Sequence, residues 1–163
     1  MFERYTEPTR RAIFFARYEA SQFGSPYIEL GHLLLGCLRE QKSLQKSLPV
    51  DSNLSRYLSR EQIIRDYSLK VGTPDVSTSV DLPLSNAGKN ALNEAANIAD
   101  LSGQNRVTVE HLFCAVLKTA GKSDLLAAFL DAKKQKQAQA DEFAVTEGEK
   151  KLLFVLREMG VRL

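Results

Sequence analysis

Few side chains in this sequence are suited to chemistry, and two of them are placed alike. The chain has 163 residues and two histidines, His32 in "IELGHLLLGCL" and His111 in "VTVEHLFCAVL", each near the start of an apolar run. A metal needs three or four converging donors, and neither run offers a second histidine, cysteine or acid at consistent helical spacing. A catalytic pair would need a nucleophile and an orienting group beside the imidazole. The reading left is structural: each imidazole ties a helix end to its neighbour by hydrogen bonds while its ring packs. Cys37 and Cys114 sit in the same two runs with no CxxC spacing, which points to reduced, buried thiols.

A second lure is "TAGKSD" at residues 119–124, because G-K-S ends a phosphate-binding loop. The full motif needs a glycine five residues before Gly121, after a strand, so that backbone amides can curl around phosphates. Val116 stands there inside a helical pattern. Gly121 then reads as a helix stop and Ser123 as the next cap. No Walker motif occurs elsewhere, so no ATPase activity, catalytic residue, metal or cofactor is expected of this chain.

The elements that position these residues are helices. Apolar residues recur at three and four, with no sustained alternation of period two. Thr6 is placed to cap a first helix with Ala12, Ile13, Ala16, Ala20 and Phe23 on its inner face, and Gly24 to end it. Ser59 with Gln62, and Thr146 with Glu149, have capping-box spacing. Residues 71–84 carry two prolines and a glycine and read as a linker. Hydrophobic content of 44%, 26% charged residues and a net charge of +2 suit a globular protein and give no nucleic-acid footprint. "KKQKQ" at 133–137 reads as a solvated, mobile segment. No apolar stretch approaches a membrane span and the charged start lacks a signal-peptide core, so a cytoplasmic protein is expected.

A shift of 79 residues lays Thr6 on Ser85, Ala12 on Ala91, Ala16 on Ala95, Ala20 on Ala99, Gly24 on Gly103, His32 on His111 and Leu38 on Leu117, without a gap over about 35 residues. A cap, a small-residue face, a helix stop and a histidine helix recur in order. The expected fold is therefore all-α: two pseudo-twofold-related four-helix repeats packed as one domain over 1–163. Repeat 1 would span about 1–70 and repeat 2 about 85–160.

"MFERYTEPTRRAI", "YIELGHLLLGCL" and "VTVEHLFCAVL" after "SGQNRV" together resemble the duplicated N-terminal domain of the Clp unfoldases, AAA+ chaperones that feed proteases or disaggregate proteins. The resemblance implies a non-catalytic helical domain that docks adaptors or substrate proteins, tethered to a Clp ATPase ring in cis. It also implies that a glutamate before the histidine helps recognise phosphorylated arginine. The second copy keeps it as Glu110, while the first has Gly31 before His32, so any such site should be lopsided. Glu110 also suits the first turn of a helix for its dipole alone.

Phe2, Tyr5, Phe14, Phe15 and Tyr18 crowd one short region, and adjacent Phe14 and Phe15 cannot share a helix face. An exposed aromatic patch is a protein-binding feature. In the related domains the face near the N-terminus, between the repeats, receives adaptors or peptides. The candidates for it here are Phe2, Arg4, Tyr5, Thr6 and Lys89, the last being the repeat mate of Arg10. The rival reading is a freestanding regulator without a ring.

Overall fold

The structure, a computed structural model, describes residues 3–46, 56–69, 82–135 and 138. Repeat 1 holds α1 (Glu7–Gln22), α2 (Leu30–Glu40), the short α3 (Ser43–Lys46) and α4 (Arg60–Asp66). Repeat 2 holds α5 (Asn86–Leu101), α6 (Val109–Thr119) and α7 at 123–135. The Phe2 and Thr146 expectations and most of the linker lie outside the described residues.

Local chemistry sets the helix limits. Thr6 Oγ1 accepts the Thr9 N–H at 3.4 Å, with a proline in the first turn, and Ser85 Oγ accepts the Gly88 N–H at 3.0 Å. Gly24 and Gly103 end α1 and α5 with φ of +65° and +70°. The N–H of the residue after each reaches back to Ala20 or Ala99 at 2.9 Å, the paired closure that a left-handed glycine permits. Gly121 closes α6 the same way. Ser123 does not cap α7, however. It is the first helical residue, and the carbonyl of Lys122 accepts the Leu126 N–H at 3.0 Å. Ser59 caps α4, but Gln62 leaves the box open and donates to Asp66 at 2.7 Å instead.

The core is built on the two histidine helices. Gly31 to Cys37 of α2 are buried without interruption, as are His111 to Leu117 of α6. The two helices meet in the middle, with α1 laid on α2 and α5 on α6. Alanines let these pairs approach closely: Ala12, Ala16, Ala20, Ala91, Ala95 and Ala99 are all at most 1% exposed. The approach is tightest at Gly36, where an added Cβ would lie 2.2 Å from the Ala12 carbonyl oxygen.

The repeats are joined by exchange. Tyr5 pairs with Val107 and Ile28 with Leu84 in two isolated parallel bridges. Leu84 is the 79-residue mate of Tyr5, and Val107 that of Ile28, so the bridges are images of each other about the pseudo-twofold axis. Thr6 N–H donates to Val107 and Val107 N–H to Arg4, while Ser85 N–H donates to Ile28 and Ile28 N–H to Pro83, at 2.8–3.1 Å. Residues 82–84, read from the sequence as the end of a linker, thus belong to the repeat junction, with Leu82 only 9% exposed.

Candidate protein-binding site

The histidines close capping boxes. The Glu29 N–H donates to His32 Nδ1, and the Thr108 N–H to His111 Nδ1, both at 3.0 Å. In the second copy Thr108 Oγ1 also accepts the His111 N–H at 3.4 Å. An Nδ1 that accepts carries no proton, so both rings are the neutral tautomer with hydrogen on Nε2. Burial pushes His32 down to about 4, against an opposing pull from the Glu19 carboxylate. Burial lowers His111 as well. Among the described residues no group of three or more His, Cys, Asp or Glu could hold a metal ion. Cys37 and Cys114 are free and buried, and burial raises the Cys114 thiol to about 11.

The positions before the histidines have opposite fates. Gly31 lies under Tyr67, and a Cβ there would come within 2.9 Å of the Tyr67 Cβ, so a glutamate would have to displace the end of α4. The buried Tyr67 phenol is raised to about 12 by loss of water. Glu110 has no such cover. Its carboxylate pairs with Lys133, each side chain more than a third exposed. Lys133, expected in a mobile segment, instead lies in α7 and reaches both Glu110 and the Phe129 ring.

The N-terminal candidates divide. Tyr5 is 4% exposed and part of the core, so it does not present an exposed ring. Thr6 is engaged as the α1 cap. Arg4 is exposed but pairs with Asp100 at 2.5 Å and donates to the Asn105 carbonyl at 3.1 Å. Lys89 is exposed. The exposed aromatics of α1 are Phe14, at 56%, and Tyr18, at 39%.

Beside them opens a groove of about 550 Å³ between α1 and the bridge segment of repeat 2. Ile13, Phe14, Ile28, Leu82, Pro83 and Leu84 line it, with Arg10 and Arg17 also on its wall. Lys89, Arg4, Tyr5 and Thr6 are the 79-residue mates of Arg10, Pro83, Leu84 and Ser85. Arg4, Tyr5 and Lys89 thus mark the pseudo-twofold counterpart of the groove's wall. Residue type near the N-terminus does not reveal that Tyr5 turns inward while Leu84 borders open space.

One buried charge gave no sequence signal. Glu19, 3% exposed on α1, accepts from both terminal nitrogens of Arg60 at 2.8 Å, with Arg39 3.9 Å away. It fastens α4 to α1 by a bidentate pair.

An all-helical double repeat joined by exchanged bridges, with paired histidine boxes at its centre, defines a class of domain, and the comparisons agree. Residues 4–129 match the Clp repeat (R) N-terminal domain family, and the chain belongs to that family. It is similar to the chloroplastic chaperone protein ClpD1 of Oryza sativa subsp. japonica, 29% identical over 119 residues. That match takes in 71% of this chain but only 13% of the relative's length. Among solved structures it resembles the N-terminal domain of the chaperone ClpD of Arabidopsis thaliana, with TM-score 0.56, 22% identity, and coverage of 82% of this chain and 97% of that one. The Hsp104 N-terminal domain of Candida albicans gives TM-score 0.56, 19% identity, and coverage of 80% and 83%. These likenesses speak for the fold. Among the described residues no helix is long and apolar enough to cross a membrane.

Proposed function

We propose that this chain is a non-catalytic docking domain of a Clp-type chaperone, receiving adaptor or substrate proteins and acting beside a Clp ATPase ring in cis. The observation that carries this reading is the groove between α1 and residues 82–84. It is apolar, open along the seam of the repeats, and edged by an exposed phenylalanine. Concave apolar sites with a few polar groups at the edge are where proteins take extended ligands.

The test uses fluorescein-labelled, reduced and carboxymethylated lactalbumin as an unfolded probe, followed by anisotropy. Phe14→Asn with Arg17→Ala installs the residues that repeat 2 carries at the mate positions, Asn93 and Ala96, so the fold should survive. Binding about tenfold weaker with an unchanged melting temperature supports the groove, a loss of the order that one aromatic anchor contributes. Unchanged binding sinks it.

Phosphoarginine recognition at Glu110 is a narrower proposal, since the carboxylate is already paired with Lys133. Calorimetry with free phosphoarginine tests it, and equal heats for the parent and Glu110→Ala would end it.

A further inference from the structure

We infer that the cavity framed by the α1–α2 turn and the end of α4 is a ligand site for an uncharged carboxamide, carried by a small aromatic molecule or by a glutamine or asparagine of a partner. It stands apart from the groove and does not rest on the docking reading. The cavity holds about 220 Å³. Pro26, Tyr27, Glu29 and Ser68 form its exposed rim, and the fully buried His32 lies at its floor with Leu69. Two buried side-chain atoms among the described residues lack a hydrogen-bond partner, and both belong to this corner: His32 Nε2 and the phenol oxygen of Tyr67, the residue before Ser68. Because His32 Nδ1 accepts the Glu29 N–H, Nε2 carries the hydrogen and can only donate. A buried donor without an acceptor is unfavourable and calls for one.

The lining decides what that acceptor is. Glu29 is its one charged residue. Behind the imidazole the charges balance, with Glu19 and Glu61 set against Arg60 and Arg39. A bound anion would therefore meet the Glu29 carboxylate and no cation in the lining. An ammonium would suit Glu29 but bring donors to the His32 donor. A carboxamide satisfies both, since its oxygen accepts from Nε2 while its NH2 donates to the carboxylate. The Phe23 ring, stacked on His32 with centroids 6.0 Å apart, adds a flat apolar wall for a planar group. Repeat 2 shows that the fold does not demand this lining. The 79-residue mates of Phe23, Pro26, Tyr27 and Glu29 are Ser102, Asn105, Arg106 and Thr108, so the histidine box is kept there without the apolar wall or the carboxylate. The rim carries a further departure. Where α1, α5 and α6 close on glycines, α4 closes on Ser68 at φ +50°, which keeps a hydroxyl on the wall at a position glycine fits more easily.

The experiment uses NMR of the imidazole nitrogens in chain made with isotope-labelled histidine. The two histidines give two sets of signals, which the variant His111→Gln assigns. Added benzamide should shift the His32 Nε2–H signal and leave that of His111 in place. Its affinity should be roughly millimolar, as suits so small a ligand, and about tenfold tighter than that of benzoate. Benzylamine should leave the His32 signal unmoved. A short glutamine-bearing peptide is the other source of the group, and whichever of it and benzamide binds more tightly identifies the carrier. Glu29→Gln should bring benzoate level with benzamide at an unchanged melting temperature. Phe14→Asn/Arg17→Ala, which strips the groove, should change nothing. If Glu29→Gln melts early, the contrast between benzamide and benzoate on the parent decides. A His32 signal that neither carboxamide moves, as an ordered water alone would leave it, overturns the inference. So does an equal shift at His111, a shift as large with benzylamine, benzoate binding the parent as tightly as benzamide, or a benzoate penalty that survives in a well-folded Glu29→Gln.

Discussion

Where repeat 1 lays Arg39 over Phe15 and Tyr18, repeat 2 sets Lys118 against Glu94, and where repeat 1 buries Gly31 under Tyr67, repeat 2 carries Glu110 paired to Lys133. Beneath these differences the frame is the same. Both repeats start their first helix on a hydroxyl cap, end it on a left-handed glycine, and open the second on a histidine that accepts from the cap residue's own N–H. The copies agree where the backbone's unsatisfied groups leave no choice, and differ where side chains meet solvent or a neighbouring helix. Function is therefore best sought in the differences.

The sharpest way to break the comparison is at the closest helix contact. Gly36 has Ala115 as its mate, so equivalent repeats would accept alanine at both positions. The Ala12 carbonyl forbids it at the first. Gly36→Ala should cost about 3 kcal/mol, the upper range for overpacking, whereas Ala115→Gly should cost only about 1 kcal/mol through helix propensity. Thermal and urea unfolding of the two variants measure this, and equal costs would show that α1 and α2 can part freely.

Acid should separate the two boxes next. The folded-state His32 is depressed to about 4 while an unfolded histidine titrates near 6.5, so below that value the unfolded chain takes the proton first. The contribution is complete above pH 6.5 and disappears as the pH falls through 4. Its size is about 3 kcal/mol. His111 is 8% exposed where His32 is fully buried and should contribute less. Urea midpoints near pH 7 and pH 4 should therefore converge more for His32→Gln, which keeps a box acceptor without titrating, than for His111→Gln. Equal slopes would show that the boxes are equivalent.

The smallest effect concerns Glu19, whose mate is Ile98. Copying repeat 2 with Glu19→Ile should change stability by no more than about 1 kcal/mol, because a buried ion pair offsets most of its attraction with lost hydration. Arg60→Ala should cost about 2 kcal/mol, because it leaves the carboxylate buried with only Arg39 near. A larger loss for Glu19→Ile than for Arg60→Ala would mean that the pair itself, and not its balance, holds α4.

Much of this was legible beforehand because it is local or periodic. Thr6, Ser85 and the glycines after α1, α5 and α6 follow from the chemistry of helix ends. The alanines recur every four residues because a helix face does. The duplication appears as one constant offset. Histidine as the closing member of the box was half legible: its structural role follows from its place, but not the cap N–H it accepts from. Tyr5 misled because an aromatic near a chain start carries no mark of inside or outside until its bridge to Val107 is known. Glu19 and Arg60 lie 41 residues apart, and nothing in either neighbourhood announces the other.

What the sequence determined by itself is the frame: an all-helical double repeat with its caps, stops and histidine helices, each set by interactions within a turn or two of chain. Only the tertiary structure decided which surface each copy shows. The exchange of bridges between the repeats turns Tyr5 inward and leaves Leu84 beside a groove. The packing of α4 and α7 then covers Gly31 with a ring and gives Glu110 a lysine. Both outcomes depend on contacts between distant segments, whose energies have no signature in the residues that surround them along the chain.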